Sequence, residues 1–160
     1  PEDAESMIAY LRQTAAETHF MVRLPEEVDF TLEEEERILR NIRKSDKDLI
    51  LAAFDGDRVV GNVGVHIFHD RTKVRHRSSL GIAIIQEYCS SGLGTILMER
   101  GIDFAKKAGF EQLELGVFAD NDRALCLYKK MGFEEIGRIP RAFRLPDGSY
   151  IDEITMVKML

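Results

Sequence analysis

A short polar and glycine-rich loop, Ser90-Ser91-Gly92-Leu93-Gly94-Thr95, joins an apolar run to a long amphipathic stretch. The apolar run is Leu80-Gly81-Ile82-Ala83-Ile84-Ile85, and the amphipathic stretch extends from Leu93 to Ala108. Strand, glycine loop and helix in this order leave unpaired backbone N–H groups at the helix start. The helix dipole adds partial positive charge there. A chain built this way can hold a phosphate group at that corner.

The elements around the loop follow from periodicity and from capping residues. Met7, Ile8, Leu11 and Ala15 recur at helical spacing between Ala4 and Thr18. Thr31 with Glu34 forms a capping box, and a second helix is expected to about Lys44, with Leu32, Ile38, Leu39 and Ile42 inward. The acidic run Glu33 to Glu36 reads as a solvated face. Leu49 to Phe54 and Val59 to Phe68 read as strands around an Asp55-Gly56 hairpin turn. Gly61 and Gly64 mark bulges or close backbone approach in the second of them.

Asp70 to Lys73 forms the next turn, and Arg77 to Ile85 a third strand with Leu80, Ile82 and Ile84 on one face. Leu93, Ile96, Leu97, Phe104 and Ala108 should share the buried face of the helix that follows, which Gly109 ends. Leu113, Leu115 and Val117 alternate as a strand that a helical crossover places parallel to its predecessor. Asn121 caps a shorter helix ending at Gly132. Phe133 to Ile139 and Tyr150 to Met159 are the last strands, joined through Pro146-Asp147-Gly148. The order α-α-β-β-β-α-β-α-β-β predicts a mixed α/β sheet with helices packed on it.

Composition narrows the function classes. With 160 residues, 44% hydrophobic and 31% charged, the chain suits one globular domain over residues 1–160. The net charge of −6 argues against a nucleic-acid partner, which wants a basic face, and leaves room for a cationic substrate. No apolar run approaches the roughly 20 residues that span a bilayer, so no membrane partner is expected. Cys89 and Cys126 form neither a disulfide framework nor a CxxC pair, which points to a reducing, cytoplasmic setting. His66 and His69, three apart on a strand, should point to opposite faces and make no metal pair.

The loop itself excludes two nucleotide sites. A nucleoside-triphosphate loop needs a lysine after its last glycine, and none is present. A dinucleotide fingerprint needs a third glycine where Leu97 stands, although Glu114 falls about 20 residues on, where a ribose-binding acid would. The strands before the loop also form hairpins rather than βαβ units. A plain helix N-cap with Ser90 or Ser91 capping is the bland alternative.

Two motifs decide among these readings. Gln86-Glu-Tyr-Cys-Ser-Ser-Gly-Leu-Gly-Thr-Ile-Leu97 resembles the [QR]-x-x-G-x-[GA] motif of the GCN5-related N-acetyltransferase (GNAT) superfamily. Asn121-Asp-Arg-Ala-Leu-Cys-Leu-Tyr-Lys-Lys-Met-Gly-Phe133 is similar to that family's N-x-x-A-x-x-[LFM]-Y-x-x-x-G-F. The resemblance covers about residues 2 to 160 and departs at the loop. Cys89 occupies the [QR] position, and Ser90 and Ser91 stand where many members carry Gly and Lys or Arg.

The resemblance implies a central, mostly antiparallel twisted sheet, splayed at the cofactor strand, with helices on both faces. It implies acyl transfer from acetyl-coenzyme A, as co-substrate without a metal, to a small-molecule or peptide amine. The diphosphate cradle would be Cys89, Ser90, Ser91, Gly92, Leu93, Gly94 and Thr95, acting chiefly through backbone N–H groups. Ile82, Ala83 and Ile84 would pair with the pantetheine arm through their backbone. The Ile84 N–H would polarise the thioester carbonyl. Asn121 and Ala124 would border the arm, and Tyr128 would be the general acid, since a phenol is protonated at neutral pH.

No general base is legible, because Ser79 stands where many members carry Glu. Glu17, His19, Glu26, Glu27 and Asp29 fall around the first interhelical loop, which the resemblance places beside the acceptor. A homodimer is compatible with the family. The family's usual first strand would precede Pro1, so the resemblance implies a boundary inside a longer chain. A non-catalytic acyl-coenzyme A binding module is the alternative from another class.

Overall fold

The computed structural model describes residues 1–160. Helix α1 spans Ala4–Glu17 and α2 Leu32–Lys44, with a single 3-10 turn at Pro25–Glu27 between them. Strands β1 (Leu49–Asp55), β2 (Arg58–Ile67) and β3 (Arg77–Ile84) follow as a meander. Then come α3 (Leu93–Lys107), β4 (Gln112–Phe118), α4 (Asp122–Lys130), β5 (Glu134–Arg144) and β6 (Tyr150–Met159). The order and type of these elements match the expected sequence of helices and strands. No helix is long and apolar enough to cross a membrane.

The six strands form one sheet in the order β1-β2-β3-β4-β6-β5. Every neighbouring pair is antiparallel except β3 and β4, which the α3 crossover makes parallel. That parallel pairing covers only Arg77, Ser78 and Ser79 against Gln112, Leu113 and Glu114. Beyond Ser79 the two strands separate, so the sheet is splayed in its middle, as the resemblance implied.

The two faces of the sheet carry separate cores. Val63, Val65, Leu80, Leu113, Leu115, Val117, Ile154 and Met156 pack against Leu97, Met98, Ile102 and Ala105 of α3 and Tyr128 of α4. On the opposite face Val59, Val60 and Ile85 pack against Met7 and Tyr10 of α1. The Tyr10 hydroxyl donates to the Ala83 carbonyl at 2.8 Å and to Asn62 Oδ1 at 3.1 Å, tying α1 to β2 and β3.

Some expected faces are corrected. In α3 the buried line is Leu97, Met98, Gly101, Ile102 and Ala105, and Ile96 is exposed. Gly101 sets this rotation: a Cβ there would lie 3.0 Å from Val63 Cγ2, so the helix sits against the sheet along its smallest residue. In α2 the Thr31–Glu34 capping box forms, but Leu32 and Ile38 are exposed and Glu35 of the acidic run is buried. Burial pushes the Glu35 carboxyl upward, with Arg23 opposing it. The helix leans on its neighbours through the Glu35–Leu39–Ile42 line rather than through every apolar position.

Strand β5 runs past the expected end at Ile139 to Arg144, across a register irregularity between Ile139 and Phe143. Pro140 is tolerated because β5 is an edge strand. The irregularity holds Arg141 at φ +54°, and the Asp152 carboxylate accepts its N–H at 2.8 Å.

Candidate active site

Residue alternation along β3 determines what the splay exposes. Ile85 N–H donates to the Val60 carbonyl and Phe68 N–H to the Arg77 carbonyl. Odd-numbered residues of β3 therefore turn their backbone groups to β2. Leu80, Ile82 and Ile84 turn theirs the other way, toward β4, where pairing has already ended at Ser79. The result is a short open strand edge inside the sheet. Ala83 borders the same opening, but its backbone faces β2 and its carbonyl takes the Tyr10 hydroxyl.

The open edge leads into the glycine loop. Ser90 and Gly92 adopt left-handed conformations, φ +62° and +90°. Glycine takes this conformation without strain; a side chain at position 92 would not. The N–H groups of Ser90, Ser91, Gly92 and Gly94 donate to no group of the protein, whereas that of Thr95 closes onto Gly92. Leu93 N–H reaches the Ser91 hydroxyl at 3.4 Å. Four free donors thus lie at the start of α3, where the helix dipole is positive.

Cys89 does not belong to this set. Its N–H is spent on the Gln86 carbonyl, and its thiol turns back onto the Ile84 and Ile85 carbonyls at 3.8 and 3.7 Å. The run of free donors therefore begins at Ser90. A cation that the loop lacks comes from elsewhere: Lys130, at the end of α4, reaches the Thr95 hydroxyl at 3.4 Å. Gly94 makes room for the packing underneath, since a Cβ there would lie 3.1 Å from Leu127 and 3.4 Å from Ile84.

Helix α4 brings Tyr128 to the splay. The Asn121 side chain accepts the Ala124 N–H at 3.2 Å, capping the helix as expected. Tyr128 is 7% exposed, and burial pushes its phenol up to about 12, with no hydrogen bond opposing it. Its hydroxyl is not sealed off from a partner by the core, and the residue lines the cleft between β3 and β4.

That cleft encloses about 610 Å³ and runs through the sheet. Ile82, Ile84, Asn121, Ala124 and Tyr128 line it on the side of α3 and α4. Thr18, Phe20, Met21, Val22, Phe118, Phe143 and Glu153 line its other mouth, on the side of α1. Phe118 and Phe143 stack at 3.7 Å with their planes 7° apart, and Phe20 stands edge-on to Phe118 at 6.0 Å. The Glu17 carboxylate accepts the Gln86 N–H at 2.7 Å. His19 pairs with Asp120 at 2.8 Å. These two bonds hold the segment after α1 across the mouth.

Of the acidic residues expected beside an acceptor, only Glu17 lines the cleft. Glu27 instead accepts the Leu24 N–H at 2.8 Å, and Glu26 and Asp29 lie outside the cleft. Glu153, Phe118, Phe143 and Lys130 were missed by sequence reasoning. In a strand they read as ordinary alternating positions, and in a helix as a basic last turn.

The comparison with known proteins agrees with this fold. The Acetyltransferase (GNAT) family model matches residues 8–133. The chain belongs to the GNAT acetyltransferase family. It is 31% identical over 111 residues to an L-amino acid N-acetyltransferase, AaaT, of Escherichia coli, covering 69% of this chain and 67% of that protein. A GNAT-family acetyltransferase from Streptococcus pneumoniae superposes with a TM-score of 0.95 at 33% identity, covering 100% of this chain and 95% of the other. A phosphinothricin acetyltransferase from Sinorhizobium meliloti, solved in complex with acetyl-coenzyme A, gives a TM-score of 0.85 at 19% identity and shares the fold. The overlap there covers 99% of this chain and 84% of the other. Within this GNAT fold Ile82 and Ile84 of the splayed strand and Tyr128 of α4 line one cleft, and the free-donor loop follows that strand in the chain.

Proposed function

We propose that this chain transfers the acetyl group of acetyl-coenzyme A to a primary amine by direct attack, with Tyr128 as general acid. The observation that carries this reading is the continuity of an unpaired strand edge with a loop of free N–H donors, beside a buried phenol. Acetyl-coenzyme A would supply the activated acyl group and a diphosphate to anchor it.

The residues present fit that group. Ser90, Ser91, Gly92 and Gly94 would hold the diphosphate through their N–H groups, with Thr95 and Lys130 at its flank. The backbones of Ile82 and Ile84 would pair with the amide groups of the arm, as an added strand does. The Ile84 N–H would stabilise charge on the thioester oxygen. Asn121 fixes the start of α4 and so positions Ala124 and Tyr128. Tyr128 would give its hydroxyl proton to the departing sulfur, and its raised pKa keeps that proton available throughout the neutral range.

The similarity to an L-amino acid N-acetyltransferase makes L-amino acids the first acceptors to test. Thiol release from acetyl-coenzyme A should rise with at least one of a set of L-amino acids, alanyl peptides and simple alkylamines. The product should carry one acetyl group by mass spectrometry. Coenzyme A binding by calorimetry without turnover of any amine would favour a non-catalytic binding module instead.

A further inference from the structure

We infer that Glu153 is the group that receives the acceptor amine and takes its proton. The inference rests on the acetyltransferase reading and adds the base that the sequence left unassigned.

Strand alternation places the residue. Ile154 and Met156 of β6 and Leu113, Leu115 and Val117 of β4 point into the α3–α4 core. Glu153, which pairs with Phe118, therefore points to the opposite face, together with Gly116. The carboxylate lies diagonally over Gly116, and a Cβ at position 116 would collide with it. The glycine thus leaves the space that the Glu153 carboxylate occupies. Tyr128 belongs to the α3–α4 face and Glu153 to the α1 face, yet both line the cleft that passes through the splay. The amine adds to the acyl carbon from above the carbonyl plane, whereas the thiolate is expelled from its own position on that carbon. An acid on one face and a base on the other suit that requirement.

The other charged groups of the cleft are already engaged or turned outward. Glu17 is bonded to Gln86 N–H and to the Gln13 amide, and Asp120 to His19. Asp122 and Arg123 are exposed in the first turn of α4. Glu153 is only partly exposed and has no ion pair or side-chain hydrogen bond within the chain. The stacked Phe118 and Phe143 and the edge-on Phe20 line the same mouth. An ammonium group with an apolar substituent is the ligand this mouth fits: the cation at Glu153, the substituent against the rings.

The proton balance is complete. Glu153 takes one proton from the bound ammonium, leaving a neutral nitrogen whose lone pair forms the C–N bond to the acyl carbon. As the C–S bond breaks, Tyr128 gives its proton to sulfur. The second proton shed by the nitrogen restores Tyr128, and Glu153 releases its own to solvent. One proton leaves for each amide formed.

Phenethylamine is the probe, as a minimal amine with an apolar tail. Glu153→Gln should lower its kcat/KM at pH 7 about 100-fold, within the range for loss of a general base. The deficit should shrink by up to about tenfold per pH unit as free neutral amine accumulates. Without acetyl-coenzyme A, calorimetry should show phenethylammonium binding weakened about tenfold in the variant and coenzyme A binding unchanged. Gly116→Ala should move the same quantities in the same direction by displacing the carboxylate. A Glu153→Gln rate within twofold of wild type at pH 7, with a parallel pH profile, overturns the assignment of Glu153 alone. A wild-type protein that binds coenzyme A but turns over neither phenethylamine nor any other amine overturns the acetyltransferase reading and the base with it.

Discussion

The two sides of the splayed sheet are built by different means. On the α3–α4 side the free groups are the backbone N–H donors of Ser90, Ser91, Gly92 and Gly94, close together in the chain and fixed by one loop and one helix start. On the α1 side the wall is made of side chains from distant segments: Phe20 after α1, Phe118 at the end of β4, Phe143 in β5 and Glu153 in β6. A site made of local backbone depends on φ, ψ and a few glycines. A site made of side chains from four segments can change by substitution at any of them without altering the fold. Within one fold, the first kind of site suits a constant ligand and the second a variable one.

This contrast predicts that variants should sort by side. Tyr128→Phe, at the junction, carries the largest expected effect: kcat about 100-fold lower, with coenzyme A binding by calorimetry nearly unchanged. Because burial raises the Tyr128 phenol to about 12, wild-type kcat should show no alkaline limb from this group below about pH 11. The same shift has a stability signature. The raised phenol contributes no penalty below pH 10, and stability falls as the pH rises from 10 to about 12, where only the unfolded chain ionises readily. Thermal melts of Tyr128→Phe should lack that extra loss.

Gly92→Leu should raise the coenzyme A Kd about tenfold, since a side chain strains the φ of +90° on which the donor loop depends. Acceptor affinity should follow only weakly. An unaltered Kd would remove the cradle from this loop. Phe143→Ala should act in the opposite sense, raising acceptor KM about fivefold through loss of the stacked pair, with coenzyme A binding intact. If it weakened coenzyme A instead, the division between the two sides would be broken. Lys130→Ala is the mildest case, because the pair with Thr95 is exposed. We expect a Kd about two- to threefold higher at low salt, and no difference at high salt.

Legibility in the sequence followed the same division. The Thr31–Glu34 box, the Asn121 cap, the turn at Pro146-Asp147-Gly148 and the crossover around α3 rest on contacts within a few residues, and each forms as expected. The loop was legible for the same reason, except at Cys89, whose N–H closes a local turn instead of staying free. The misread positions are those where packing against a distant element decides. Ile96 and Ile38 are apolar and in register with a helical face, yet the neighbours of α3 and α2 bury other residues. Glu35 is the converse, a charged residue in an acidic run that packing turns inward.

The sequence by itself determined the order of elements, the helix ends and the donor loop, because local hydrogen bonding and hydrophobic periodicity are written in neighbouring residues. Only the tertiary structure decided how far β3 and β4 stay paired, that Lys130 stands beside Thr95, and that the Glu153 carboxylate fills the space left at Gly116. Each of these joins residues tens of positions apart. Their meeting depends on strand register and helix packing, which no local pattern encodes.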